Sequence, residues 1–224
     1  MEAIITNSTL KKLRVTGILF LISLIIPTLN WVFVFSNFLS YKSLLEHENL
    51  FMLSIMNQII STICITLLGV FLHLILKQRY AAVSFMAFVF KMFEAVFTLV
   101  IALFFLIVFS MLKAELVEQS VFKELIGNYI SYTAVPGIFL GISMLLFSIL
   151  FYKSGLIPKW LAIVGVVSYV LVLLYDSSAI LFSNTSIFIQ IVGSVPVCLF
   201  HIIIGFTLIF TKQFKLTNNE SNFK

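Results

Sequence analysis

Six long apolar runs divided by short polar stretches organise this chain of 224 residues. They cover residues 15–35, 51–76, 81–111, 129–151, 160–182 and 187–211. A helix needs roughly 20 apolar residues to cross a hydrocarbon core, and every run reaches that length. A lone lipid-exposed strand would leave its backbone polar groups unsatisfied, and barrel strands would alternate polar and apolar positions, which these runs do not. The pattern predicts an all-α fold, a six-helix transmembrane bundle over residues 15–211. A polar segment, residues 1–14, precedes it, and a polar tail, residues 212–224, follows. The run at 81–111 is long enough to tilt or to project from the bilayer.

Composition strengthens the assignment. The chain is 61% hydrophobic and 10% charged. A soluble domain has roughly half its residues apolar and about a quarter charged, so no soluble core absorbs this excess. The first run follows Lys11, Lys12 and Arg14 and superficially resembles a signal peptide. It is too long for a cleaved h-region and ends at Asn30-Trp31-Val32-Phe33 rather than in small residues, which predicts an uncleaved first span. The net charge of +5 does not point to nucleic acid, because the bases flank the spans. Ten Lys and Arg residues fall on one side of the predicted topology and three, Lys42, Lys113 and Lys123, on the other. This positive-inside bias predicts cytoplasmic N- and C-termini and a place in the cell membrane.

One charged pair lies inside a run. Lys91 and Glu94 are three residues apart and share a helical face. At 1.5 Å per residue, Glu94 falls near the bilayer centre, while Lys91 can snorkel toward the cytoplasm. A central charge costs about 2.5–3.5 kcal/mol on insertion scales, so such residues face a partner or a cavity. Two readings are open: a neutralised structural pair that fixes packing, or an ion or proton site. His201 falls near the same depth in the last run, where an imidazole could share a proton with Glu94. His73 and His201 differ in depth by about two turns, which argues against a haem between them. Neither Cys64 with Cys198 nor Glu46-His47-Glu48 has the spacing of a metal site, so no metal and no cofactor is expected.

Asn30, Asn57, Gln58, Thr133, Asp176 and Gln190 all map toward the outer half of the spans. They read either as interhelical hydrogen bonds or as the lining of a cavity, with Asp176 and Asn57 as binding positions beside Lys91, Glu94 and His201. Pro27, Pro136 and Pro196 interrupt spans and free backbone carbonyls. Gly137 and Gly141 form a small-xxx-small pair suited to close helix approach. No hydrolase, phosphate-loop or dinucleotide motif is present, so catalysis is not expected.

The segment Tyr152-Lys153-Ser154-Gly155-Leu156-Ile157-Pro158-Lys159-Trp160-Leu161 reads as a tight turn. Gly155 suits the end of one helix, Pro158 the start of the next, and Trp160 the headgroup belt. This turn resembles that of the six-span bacterial membrane proteins grouped as domain of unknown function 4386. So does a base followed three residues later by Glu, matched here by Lys91 and Glu94. The family usually has Arg at the first of those positions. It also tends to have Glu about five residues after a Pro in the last span, where this chain has His201 after Pro196. The resemblance implies fold and location and no chemistry. The leading expectation is therefore a membrane protein whose role is binding, assembly or membrane adaptation. The alternative is a small-solute or proton-coupled transporter using Lys91, Glu94 and His201. The expected partners are the lipid bilayer and, for the alternative, a small solute or ion, and the oligomeric state is left open. A cavity touching Glu94 would favour the transporter, a sealed core the assembly protein.

Overall fold

The computed structural model describes residues 7–30, 47–116, 118, 120–121, 124–125, 129–182 and 187–211. Those residues are all-α, with five long helices and no strand. They are α1 (Asn7–Asn30), α2 (Glu48–Lys113), α3 (Tyr129–Ser154), α4 (Lys159–Leu181) and α5 (Ile187–Phe210). Each is long and apolar enough to cross a membrane. The helix α1 begins at Asn7, so the basic flank of Lys11, Lys12 and Arg14 is helical and continuous with the first apolar run. The expected tail and most of the expected outer connection at 36–50 lie outside the described residues.

The second and third apolar runs are the two helical arms of α2, which meet at a kink between them. Its 66 residues would stretch about 100 Å if straight. Instead Tyr80 takes non-helical angles, φ −134° and ψ 52°, and α2 folds back there into two antiparallel arms. Lys113 at one end reaches Glu48 at the other, with 2.7 Å between Nζ and Oε1. One step inward, the rings of Phe51 and Phe109 stack at 4.6 Å. Near the elbow, His73 Nδ1 meets Ser84 Oγ at 3.1 Å. No Gly or Pro marks the elbow, Lys77-Gln78-Arg79-Tyr80; the sequence reads it as a connection because this polar stretch divides two apolar runs.

Successive helices pack side by side and α5 returns to α1, so the bundle closes into a ring. The neighbours run antiparallel. Ser143 on α3 donates to the Ala87 carbonyl on α2 at 2.9 Å, and Ser131 to Ala179 on α4 at 3.1 Å. Gly141 of α3 faces Leu173 of α4, and Gly193 of α5 faces Tyr175, as close approach through small residues requires. Most other hydroxyls, among them Thr62, Thr98 and Thr207, bond the carbonyl four residues back on their own helix. That local bond is how hydroxyls are satisfied in an apolar helix, and it leaves few of them free for packing contacts.

Two apolar clusters fill the ring. The larger runs from the elbow end to mid-depth and includes Phe20, Leu68, Leu72, Phe147, Phe151, Tyr169 and Phe200. The smaller, at the Glu48–Lys113 end, holds Phe51, Ile55, Phe105, Val108, Phe109 and Leu112. Large side chains such as Ile18, Leu53, Phe85, Ile107, Val167 and Leu199 point outward, as a lipid-facing surface allows.

The turn between α3 and α4 matches its expected design. Gly155 takes φ 65° and its N–H bonds the Phe151 carbonyl at 3.0 Å, ending α3. Pro158 precedes Lys159, the first residue of α4, while Leu156 and Ile157 are buried and Trp160 stays exposed. Because a side chain is disfavoured at that φ, Gly155→Ala is expected to cost about 1–2 kcal/mol. A detergent-unfolding titration that leaves the midpoint unmoved would contradict it.

Candidate functional site

The second arm of α2 carries the site's charges. Lys91 Nζ lies 2.8 Å from Glu94 Oε2, and both residues are buried, at 1% and 5% exposure. The aliphatic stem of Lys91 lies against Gly69 on the opposing arm, where an added Cβ would sit 2.9 Å from Lys91 Cγ. Gly69 therefore provides the space that lets a long cationic side chain lie inside the hairpin. Glu94 Oε2 is ion-paired but has no well-aligned hydrogen-bond donor among the described residues.

Beside Glu94 is a partly open cavity of about 250 Å³ walled by α1, α2 and α3. It lies between the two apolar clusters: Leu140 packs on the larger, Ile101 on the smaller, and both line it. By position along the helices, Ile65, Glu94 and Leu140 close its end toward the elbow. Pro27, Gln58 and Thr133 lie toward the Glu48–Lys113 end. Ser61 and Thr98 add polarity to its wall, although the Thr98 hydroxyl already bonds the Glu94 carbonyl at 2.8 Å. Pro27 and Pro136 each remove one helical hydrogen bond on the cavity side. Unpaired carbonyls at membrane depth are tolerated where they border a cavity rather than lipid.

Of the other expected positions, His201 is buried on α5 and its Nδ1 is 2.9 Å from the Val197 carbonyl. It does not line the cavity. It packs edge-on to Phe20 and Tyr169, at centroid distances of 5.4 and 6.2 Å. Tyr169 on α4 is fully buried, with a hydroxyl that has no hydrogen-bond partner among the described residues. Tyr169 and His201 thus make a buried ring contact between α4 and α5, and Lys91 with Glu94 a buried ion pair on α2. The sequence reading missed Tyr169; its one signal is a hydroxyl at mid-span, where a buried phenol needs a partner.

Asn57 is half-buried and off the cavity, and its neighbour Gln58 takes the lining place. Asp176 is buried on α4 against Gly137, the α3 residue that lines the cavity, so a Cβ on Gly137 would run into the Asp176 carboxylate. The side chain of Asn30 lies outside the described residues. No group of three or more metal-ligating side chains occurs among the described residues.

Long apolar helices closed into a ring around a buried ion pair and a cavity define a membrane-embedded helical protein. The sequence profile of the family Domain of unknown function (DUF4386) matches residues 15–211, nearly the whole chain. The chain belongs to that family. No curated protein and no solved structure matches it.

Proposed function

We propose that this protein is a small-solute or proton-coupled carrier of the cell membrane, not an enzyme, with Glu94 as its protonatable binding group. The observation that carries this reading is the cavity that Glu94 helps to line in the middle of the bundle. A protein built only to pack would gain from filling that space, because a void forfeits dispersion contacts. At about 250 Å³ the cavity is below the roughly 300 Å³ at which drug-sized pockets begin, which suits a small solute.

The same reading takes α2 as two spans, giving six crossings with both termini in the cytoplasm. The supporting observation is the clustering of bases. Lys77 and Arg79 at the elbow, Lys153 and Lys159 at the α3–α4 turn, and Lys11, Lys12 and Arg14 on α1 all belong to one end of the antiparallel bundle.

The test is flux in proteoliposomes under a pH gradient. Glu94→Gln is expected to reduce solute-dependent proton movement to the level of protein-free vesicles. The double variant Lys91→Met with Glu94→Gln leaves no orphaned charge, and it should fold and be equally silent. Undiminished flux through the folded double variant would refute the carrier role of Glu94.

A further inference from the structure

We propose that the cavity binds a small uncharged solute with a hydrogen-bonding head and an apolar body, of the carboxamide type. This deepens the carrier reading by naming the class of solute, and it rests on that reading only for the consequence of binding, not for binding itself.

Charge sets the first limit. Glu94 is the only charged side chain on the cavity wall among the described residues, and Lys91 neutralises it at 2.8 Å. A cation or an anion placed beside that pair would add a charge that nothing on the wall balances. In the middle of an apolar bundle such a charge is costly. An uncharged occupant avoids the cost.

Polarity sets the second limit. One arm of α2 brings Gln58 and Ser61 to the cavity, and the other brings Glu94 and Thr98, with Ile65 and Ile101 flanking them. From α1 and α3 come Pro27, Pro136, Gly137 and Leu140, with Thr133 their one polar side chain on the wall. The hairpin therefore supplies most of the polar groups and its neighbours most of the apolar surface. Ser61 is 4% exposed, and its hydroxyl makes no hydrogen bond with any described residue. A buried hydroxyl without a partner is costly, and an occupant that bonds it recovers the cost. The ionised Glu94 carboxylate can only accept, and the Thr98 hydroxyl, which donates to the Glu94 carbonyl, is left to accept as well. A carboxamide answers this set. Its N–H groups have acceptors at Glu94 and Thr98, its carbonyl has a donor at Ser61, and its hydrocarbon suits Ile65, Ile101 and Leu140. A plain hydrocarbon would leave Ser61 unpaired. A cavity of about 150 Å³ holds benzene. The space of about 250 Å³ is therefore ample for a short branched amide.

The experiment follows thermal unfolding of the full chain in detergent at neutral pH. Four compounds that share one branched hydrocarbon and differ in the head are compared: isobutyramide, isobutyrate, isobutylammonium and isopentane. A ligand that binds only the folded state raises the midpoint saturably. Isobutyramide is expected to do so, and the anion, the cation and the hydrocarbon are not. Ser61→Ala, a small change that the fold should accept, is expected to weaken the amide response by roughly fivefold, the worth of one neutral hydrogen bond. A wild-type protein that does not respond to isobutyramide, or that responds as strongly to any of the other three, overturns the proposal whether or not the variant folds. So does a Ser61→Ala variant with an undiminished amide response. Amide binding in detergent without flux in vesicles would retire the carrier reading and leave this one standing. Flux that needs Glu94 but prefers a charged member of the series would do the reverse.

Discussion

Glu94→Ala is expected to destabilise the bundle by about 3–5 kcal/mol, because it strands the Lys91 ammonium in the protein interior. Lys91 is 1% exposed and its stem is held between the two arms of α2 against Gly69, so it has no short route to water. Replacing both residues with apolar ones of similar volume removes the desolvation cost together with the attraction, and such exchanges are often neutral or stabilising. The double variant Lys91→Met with Glu94→Leu should therefore recover most or all of the loss. Reversible unfolding in mixed micelles would give the cycle directly. Additive losses, with the double variant worse than either single one, would mean that the pair is not the unit described. The outcome also separates structure from function: a double variant that folds but moves no solute assigns the pair to the carrier rather than to the scaffold.

Gly17→Ala is expected to force α1 away from α5. A Cβ at Gly17 would lie 2.6 Å from the Gly205 carbonyl oxygen and 2.9 Å from Ile209. The first of these is backbone, and a helix backbone cannot step aside without shifting the whole element. Overpacking of this kind costs about 1–3 kcal/mol, and here it acts where the ring closes. Gly205→Ala provides the internal control. Its Cβ would meet the end of the Leu21 side chain at 2.7 Å, which can change rotamer, and the Gly17 carbonyl only at 3.1 Å. The alanine at 17 should thus lower the unfolding midpoint clearly more than the alanine at 205. Equal effects would mean that α1 and α5 are not held at the distance described.

Much of the site could be read in the chain. Lys91 and Glu94 stand out because charge in an apolar run is costly, and their spacing of three places them together on any helix. The cavity could not be read. It is walled by residues from three helices, and Pro27, Glu94 and Pro136 become neighbours only when the ring closes. The choice between Asn57 and Gln58 shows the limit most plainly. One step along a helix turns a side chain by about 100°, so naming the lining residue requires knowing which face points inward. Nothing in the first arm of α2 marks that face, because Ile55, Met56, Ile59 and Ile60 surround both amides.

The sequence by itself determined the membrane class, the helical character of the apolar runs, the turn at Ser154–Lys159 and the location of the buried ion pair. These follow from length, hydropathy, backbone hydrogen bonding and the cost of charge in an apolar run, all of which act within one segment. The tertiary structure alone decided that the helical backbone of α2 breaks at Tyr80, that α5 closes on α1 through Gly17 and Gly205, that Gly69 admits Lys91, and that Asp176 rests behind Gly137. The physical reason is that lipid is as apolar as the protein core. A soluble helix shows its inner face as an apolar stripe, whereas a membrane helix can be apolar all round. Which residues meet is then set by the fit of small residues and rings between helices.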